Sequence, residues 1–205
     1  MNIITVGREF GSGGRELGKR MADLLGFAYY DREIITAIAE KSRLDAGYVA
    51  KRLDSGFEKN YPVTFGRTFS YPPALQQNST KIYVAEQQVI RELAAHGKHC
   101  VVVGRNTDVI LSDYSPWRLF VYADMQSKIK RCIDRAPAEE NLSEHEIKRN
   151  IRRVDANRAK HRELLAGGKW GQKECYHLCV NTTGWALKEL APLIAQYACG
   201  YFRRM

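Results

Sequence analysis

Residues 7 to 18 read Gly-Arg-Glu-Phe-Gly-Ser-Gly-Gly-Arg-Glu-Leu-Gly, with glycine at four of the eight positions from Gly7 to Gly14. Glycine lets successive backbone N–H groups turn to one side at positive φ. A helix that starts just after such a loop adds unsatisfied N–H groups and the positive end of its dipole. The combination cradles a phosphate group, and Arg15 adds a fixed positive charge beside it. A second set of residues suits the same chemistry: Arg149, Arg152, Arg153, Asp155 and Arg158 crowd one helical stretch. Spacing by three puts Arg152, Asp155 and Arg158 on one broad face, where guanidinium groups can gather negative charge. The plainer readings are a connecting turn and a solvated helix with intrahelical ion pairs. Ordinary strand-to-helix loops take about 2 to 6 residues and need few special dihedrals, so the glycine excess favours close approach of a ligand.

The elements around these residues follow from periodicity. Ile3, Ile4 and Val6 form a β-branched run that enters the loop, and Leu17, Met21, Leu24 and Leu25 then recur at helical spacing. Gly26 ends that helix. Phe27 to Tyr30 is a short strand, and Asp31 stands at the N-cap of a helix over Arg32 to Lys41 with an apolar face of Ile34, Ile35 and Ile38. Asp45 opens a short helix through Leu53, and residues 55 to 79 show no periodicity. The spacing predicts a helix over Thr80 to His96, a buried strand over Cys100 to Val103 closed by Gly104-Arg105, and a strand over Leu119 to Tyr122. Asp124 caps a helix carrying Ile129, Arg131, Ile133 and Arg135, which Pro137 breaks. Ser143 with Glu146 has the form of a capping box at the start of a charged helix toward Leu165, and Gly167-Gly168 closes it. Tyr176 to Asn181 and Trp185 to Tyr197 supply the last strand and helix. Five strands alternating with helices predict an α/β protein whose mostly parallel sheet is covered on both faces.

The 205 residues suit one domain with an appendage, and their composition, 44% hydrophobic and 27% charged, is that of a globular protein. No apolar run reaches the roughly 20 residues of a membrane span, and the opening residues lack the features of a secretory leader, so a cytoplasmic protein is expected. Five scattered cysteines (Cys100, Cys132, Cys175, Cys179 and Cys199) suit reduced thiols better than a disulfide framework. Cys175, His177 and Cys179 lack the further ligand pair that structural zinc takes, and no zinc site is expected. The net charge of +9 calls for an anionic partner. Its excess is local, with Lys148, Arg149, Arg152, Arg153, Arg158, Lys160, Arg162, Lys169 and Lys173 joined by His161.

Gly11-Ser12-Gly13 matches the Gly-Ser-Gly of bacterial cytidylate kinases, and the whole opening resembles cytidylate-kinase-like proteins of the P-loop nucleoside-monophosphate-kinase superfamily. Phe27 to Asp31, Val101-Val102-Val103-Gly104-Arg105 and Tyr176 to Thr182 agree with that group, and Asp155-x-x-Arg158 is similar to the Asp-x-x-Arg of its lid. The resemblance implies a three-layer P-loop kinase fold over residues 1–205, with a variable acceptor-side excursion at about 42–79 and a helical lid at about 137–170. It implies ATP as phosphoryl donor with Mg2+, and a small acceptor, first of all a nucleoside monophosphate such as CMP. Gly11, Ser12, Gly13, Gly14, Arg15 and Glu16 would hold donor phosphates, and Arg15, Arg152 and Arg158 would act in catalysis. Asp31, Arg105 and Asp155 would bind the acceptor, and Arg131, Arg135 and Arg153 would be further lid or phosphate contacts.

The chain departs from the P-loop pattern, which places Lys and then Ser or Thr after its last glycine. Gapless alignment puts Gly14 at the lysine position; a loop longer by one residue puts Arg15 there and Glu16 at the magnesium-binding hydroxyl. Magnesium would then be held by water, by the nucleotide, by Ser12 or by Glu16. The sequence therefore supports two functions: an ATP-dependent phosphotransferase, and a catalytically silent nucleotide-binding regulatory or interaction module. A nucleic-acid partner driven by charge alone has no recognition motif behind it.

Overall fold

The computed structural model describes residues 1–47, 49, 73–104, 106–136, 143–166 and 170–204. Strand β1 (Ile3–Arg8) leads through the glycine loop into helix α1 (Gly14–Leu25), and β2 (Ala28–Tyr30) leads into α2 (Arg32–Ser42). Helix α3 (Pro73–Ala95), β3 (Cys100–Val103), the single-turn α4 (Thr107–Ile110) and β4 (Trp117–Tyr122) follow. The chain closes with α5 (Met125–Ile133), α6 (Glu144–Ala166), β5 (Leu178–Asn181) and α7 (Leu187–Phe202). Every strand pairing is parallel, and the order across the sheet is β2-β3-β1-β4-β5. Strand β1 is thus central, and the chain leaves it first toward β2 and later toward β4. In open parallel sheets a ligand crevice forms where successive crossovers diverge in this way, outside the carboxyl ends of the strands.

Alternation along the strands divides the core into two layers. Ile3, Cys100 and Val102 face α2 and α3, where Ile34, Ile38, Ile82, Val89 and Ile90 are buried against them. Ile4, Val6, Val101, Val103, Trp117 and Leu119 face the opposite way, onto Leu17, Met21 and Ala22 of α1 and Leu190 and Ala195 of α7. Leu24, which the helical spacing places on the apolar face of α1, is instead exposed, and Ala22 takes the inward position. A smaller cluster joins Ile129 of α5 to Ile147 and Ile151 of α6, with Phe10 of the loop packed against it. This cluster fixes the charged helix beside the loop.

Helix α3 begins at Pro73, well before Thr80. The residues from Pro73 to Ser79 contain a single large apolar side chain, so periodicity was silent there, although proline is itself favoured in a first helical turn. The Asp45 helix, Pro137 and the Gly167-Gly168 stop fall wholly or mainly outside the described residues. No helix among the described residues is long and apolar enough to cross a membrane.

Two helix starts show the local chemistry read from sequence. Ser143 N–H donates to Glu146 Oε2 at 2.9 Å while Glu146 N–H donates to Ser143 Oγ at 3.3 Å, a reciprocal capping box. Asp124 Oδ1 accepts from the Ser127 N–H at 2.6 Å and caps α5. That hydrogen bond, with one from the Ser127 side chain, holds the Asp124 carboxyl below its ordinary range. A depressed folded-state pKa gives stability that is present above the unfolded pKa and is lost as the pH falls through the folded one. Asp124→Ala therefore lowers the melting temperature at neutral pH, and the gap to the unsubstituted protein narrows on acidification. Thermal unfolding across an acid-to-neutral series measures both.

Candidate functional site

The glycine loop leaves β1 at the mouth of the sheet and meets its neighbours through its backbone. Gly11 and Gly13 have φ values of +76° and +82°, which glycine adopts without strain. A Cβ at Gly11 would lie 2.9 Å from the Lys128 carbonyl oxygen, one at Gly13 2.5 Å from Leu187 Cδ1, and one at Gly14 2.8 Å from Arg8 Cβ. The glycines thus serve close packing as well as backbone freedom. Helix α1 starts at Gly14 directly after the left-handed Gly13, so the N–H groups of its first turn have no intrahelical acceptor.

The floor of the loop is braced from the far side of the sheet. Thr182, just after β5, donates its hydroxyl to the Ser12 carbonyl at 2.7 Å and accepts from Arg131 Nη1 at 3.0 Å. Arg131 Nη2 also donates to the Thr182 carbonyl at 2.5 Å, so this guanidinium holds backbone oxygens in place. Burial, reinforced by the charge of Arg135, lowers the Arg131 pKa. Ser12 is buried, and its hydroxyl donates to the Glu9 carbonyl at 2.8 Å.

The charged helix α6 clasps the loop from above. Asp155 Oδ1 accepts from the Phe10 N–H at 2.7 Å, and Arg158 Nη1 donates to the Arg8 carbonyl at 3.0 Å while its guanidinium stands 5.8 Å from the centre of the Phe10 ring. Between loop and helix lies Lys128 of α5, whose Nζ is 2.9 Å from Glu9 Oε2 and 3.5 Å from Asp155 Oδ2. Burial raises the Asp155 pKa, while the Phe10 N–H, Arg158 and Lys128 oppose that rise. Asp31 occupies the N-cap position of α2, but its side chain makes no cap bond; it pairs with Arg15 and, at 3.5 Å, with Arg8 Nη2. Arg135 pairs with Glu16, which also accepts from Arg20 Nε at 2.8 Å.

These contacts enclose two neighbouring spaces. A cleft of about 350 Å³ runs along the loop, and five arginines line it: Arg8, Arg15, Arg131, Arg135 and Arg158. A second cavity of about 50 Å³ lies on the other side of Arg8 and Arg158, walled by Gly104, Asn106, Asp108, His161, Arg162, Trp170 and Tyr176. Within it, Arg162 Nη1 donates to Asp108 Oδ2 at 2.5 Å. Burial, with the charge of Asp108, pushes the Tyr176 phenol up to about 12, so it stays neutral.

Residues 3–184 match the sequence profile of the Cytidylate kinase-like family. The chain belongs to that family. The match covers most of this cytidylate kinase-like protein, from β1 through β5. No curated protein matches the sequence. Among solved structures, an uncharacterised protein from Eubacterium ventriosum is 23% identical with a TM-score of 0.68, over 97% of this chain and 98% of its own. Shikimate kinase from Acinetobacter baumannii, in complex with shikimate, is 18% identical with a TM-score of 0.55 over 98% and 93%. Shikimate kinase from Bacteroides thetaiotaomicron is 12% identical with a TM-score of 0.56 over 96% and 97%. At such identities the likeness shows the fold, the α/β P-loop kinase fold.

In this cytidylate kinase-like protein the structure gathers Gly11 to Glu16, Asp31, Arg131, Arg135, Asp155 and Arg158 around one loop. Arg152 and Arg153 are exposed on α6, Arg153 donating to Asn150 Oδ1 at 2.8 Å. Three-residue steps fall short of a helical turn, so six residues separate Arg152 from Arg158 by about 120° around the axis. Arg105 lies outside the described residues. Sequence reasoning missed Arg8, Glu9 and Lys128; the position of Arg8 at the very end of the first strand was the available signal. Lys128→Met leaves the Glu9 and Asp155 carboxylates without their shared cation, and a destabilisation of about 3 kcal/mol is expected in chemical denaturation. Asp155→Asn should cost less, because its amide oxygen can still accept from the Phe10 N–H.

Proposed function

We propose that this protein is an ATP-dependent phosphotransferase acting on a small acceptor, with a nucleoside monophosphate such as CMP as the first candidate. The observation that carries the reading is the gathering of five arginines around a cleft along a glycine loop at the crossover point of a parallel sheet, with a second polar cavity sharing Arg8 and Arg158. Membership of the Cytidylate kinase-like family supports it. Phosphoryl transfer asks little covalent chemistry of a protein; it asks for positioning and for charge stabilisation in a dry site.

The N–H groups of the loop and of the first turn of α1 would hold the donor phosphates. Arg15, with its side chain about half exposed (48%), is free to swing from Asp31 onto them. Arg158 lines the cleft and donates to the Arg8 carbonyl, so it is placed to gather the charge of a phosphoryl group held there. The family resemblance assigns Asp31 and Arg105 to binding of the acceptor. Asp155, for which the family resemblance implies an acceptor role, here clasps Phe10 and positions Arg158.

Magnesium finds no side-chain ligand set in this loop. The Ser12 hydroxyl is turned to a carbonyl, the Glu16 carboxylate is paired with Arg20 and Arg135, and no group of three or more His, Cys, Asp or Glu gathers among the described residues. The ion would enter with the nucleotide. The absence of a lysine at Gly14 favours the alternative of a silent nucleotide-binding module, and turnover separates the two.

The decisive assay is ADP formation from magnesium-ATP with CMP, dCMP, UMP, AMP or GMP and an acceptor-free control. Acceptor-dependent ADP formation is expected. ATP binding without turnover would support the silent module, and neither would reduce the glycines to a packing device. Arg15→Ala should weaken ATP binding by about 1.5 to 3 kcal/mol, the range for a charge-assisted contact. Arg158→Ala should lower kcat more than ATP affinity, and an equal loss in both would make Arg158 a ground-state contact.

A further inference from the structure

We infer that Arg8 is the cation that faces the transferring phosphoryl group, replacing from the strand below the lysine that this loop lacks; the inference rests on the phosphotransferase reading above. Arg8 is the last residue of β1, and its side chain runs between two glycines. Its Cβ lies under Gly14, and a Cβ at Gly104 would overlap its Nη1. Gly14 is also the position that gapless alignment assigns to the P-loop lysine. A side chain at position 14 would start 2.8 Å from Arg8 Cβ and 3.1 Å from Val121 Cβ. The same glycine that removes the lysine therefore makes room for the arginine.

The guanidinium is held rather than solvated. Its side chain is 12% exposed, with Asp31 Oδ1 3.5 Å from Nη2, and Arg158 Nη1 on the Arg8 carbonyl fixes the backbone beneath it. A planar fork fixed in this way suits a tetrahedral phosphoryl group better than a flexible ammonium. Its position also decides which phosphate it meets. Arg8 lines both the cleft along the loop and the small polar cavity that shares Arg158 with it, so in this reading its head meets the last phosphate of a donor held in the cleft. There the bond between the γ-phosphorus and the oxygen bridging to the β-phosphate breaks, its electron pair leaving with ADP. A bond from the γ-phosphorus to an oxygen of the acceptor phosphate forms. Arg8 neither gives nor takes a proton and stabilises the charge on the oxygens in flight. A purely structural Arg8, pinning the ends of β1 and β2 together through Asp31, would move stability without distinguishing nucleotides by their last phosphate.

The test compares the unsubstituted chain, Arg8→Gln and Arg8→Lys in ATP affinity, ADP affinity, acceptor-dependent turnover and thermal unfolding. In Arg8→Gln the preference for ATP over ADP should fall by about tenfold or more, as for loss of a charge-assisted contact, with ADP affinity little changed. Turnover should fall by about 100-fold or more, as when an oxyanion donor is removed. Arg8→Lys keeps the charge without the fork and should fall between the two; if Arg8→Gln does not fold, this variant decides. An unchanged preference for ATP over ADP in the folded variants, or equal loss of both affinities, overturns the role of Arg8. If the unsubstituted chain binds ATP without turnover, the phosphotransferase reading fails, while the shift in ATP-over-ADP preference still decides Arg8. An unsubstituted chain that binds no ATP overturns both.

Discussion

At Gly11, Gly13 and Gly14 the main chain of the loop lies so close to Lys128, Leu187 and Arg8 that a single added methyl group would meet each of them. That contact constrains everything around it. It seats the loop on α5, presses the first turn of α1 against α7, and leaves a channel beneath the loop for the side chain that ends β1. Cores packed at this density transmit small changes, so the geometry of the phosphate cradle depends on neighbours that touch no phosphate. Glycine here has two roles at once, since the dihedral freedom of Gly11 and Gly13 and the missing Cβ are both used.

The charge distribution follows a similar economy. The chain carries +9, yet most cations around the loop are tied to acids, Arg8 and Arg15 to Asp31, Arg135 to Glu16, and Lys128 to Glu9 and Asp155, while Arg131 is held by backbone carbonyls and Thr182. Pairing keeps neighbouring cations from forcing the loop apart when no anion is bound, and it fixes beforehand the orientation of the more buried ones, Arg8 and Lys128. Preorganised charge of this kind loses little in reorganisation when a phosphate arrives, which is where electrostatic catalysis draws its strength. Lys128 differs from the rest, because it is buried between two carboxylates and joins loop to helix rather than facing the cleft.

Much of the fold was legible because its signals are local. The β-branched run at Ile3, Ile4 and Val6, the Asp124 cap and the Ser143-Glu146 box each act within a few residues, and the structure shows each as the sequence suggests. The start of α3 was not legible, since its first turns carry almost no apolar pattern. The clasp was not legible for a different reason. Phe10 and Asp155 are 145 positions apart, and Glu9 and Lys128 are 119 apart. Nothing in the spacing of either pair marks the other. Arg8 was hidden in the same way, because its importance depends on the missing side chains at Gly14, six positions on, and at Gly104, just past the end of β3. Asp31 was legible as an N-cap, but it gives its carboxylate to two arginines that sequence reading had no means to bring beneath it.

The claim on which the account stands is that this loop binds a chain of phosphates. Calorimetric titration of the unsubstituted protein with ATP, ADP, AMP and adenosine tests it most directly. Affinity should climb with each added phosphate and be weakest for adenosine. Equal affinity for ATP and adenosine, or no binding of either, would contradict the account.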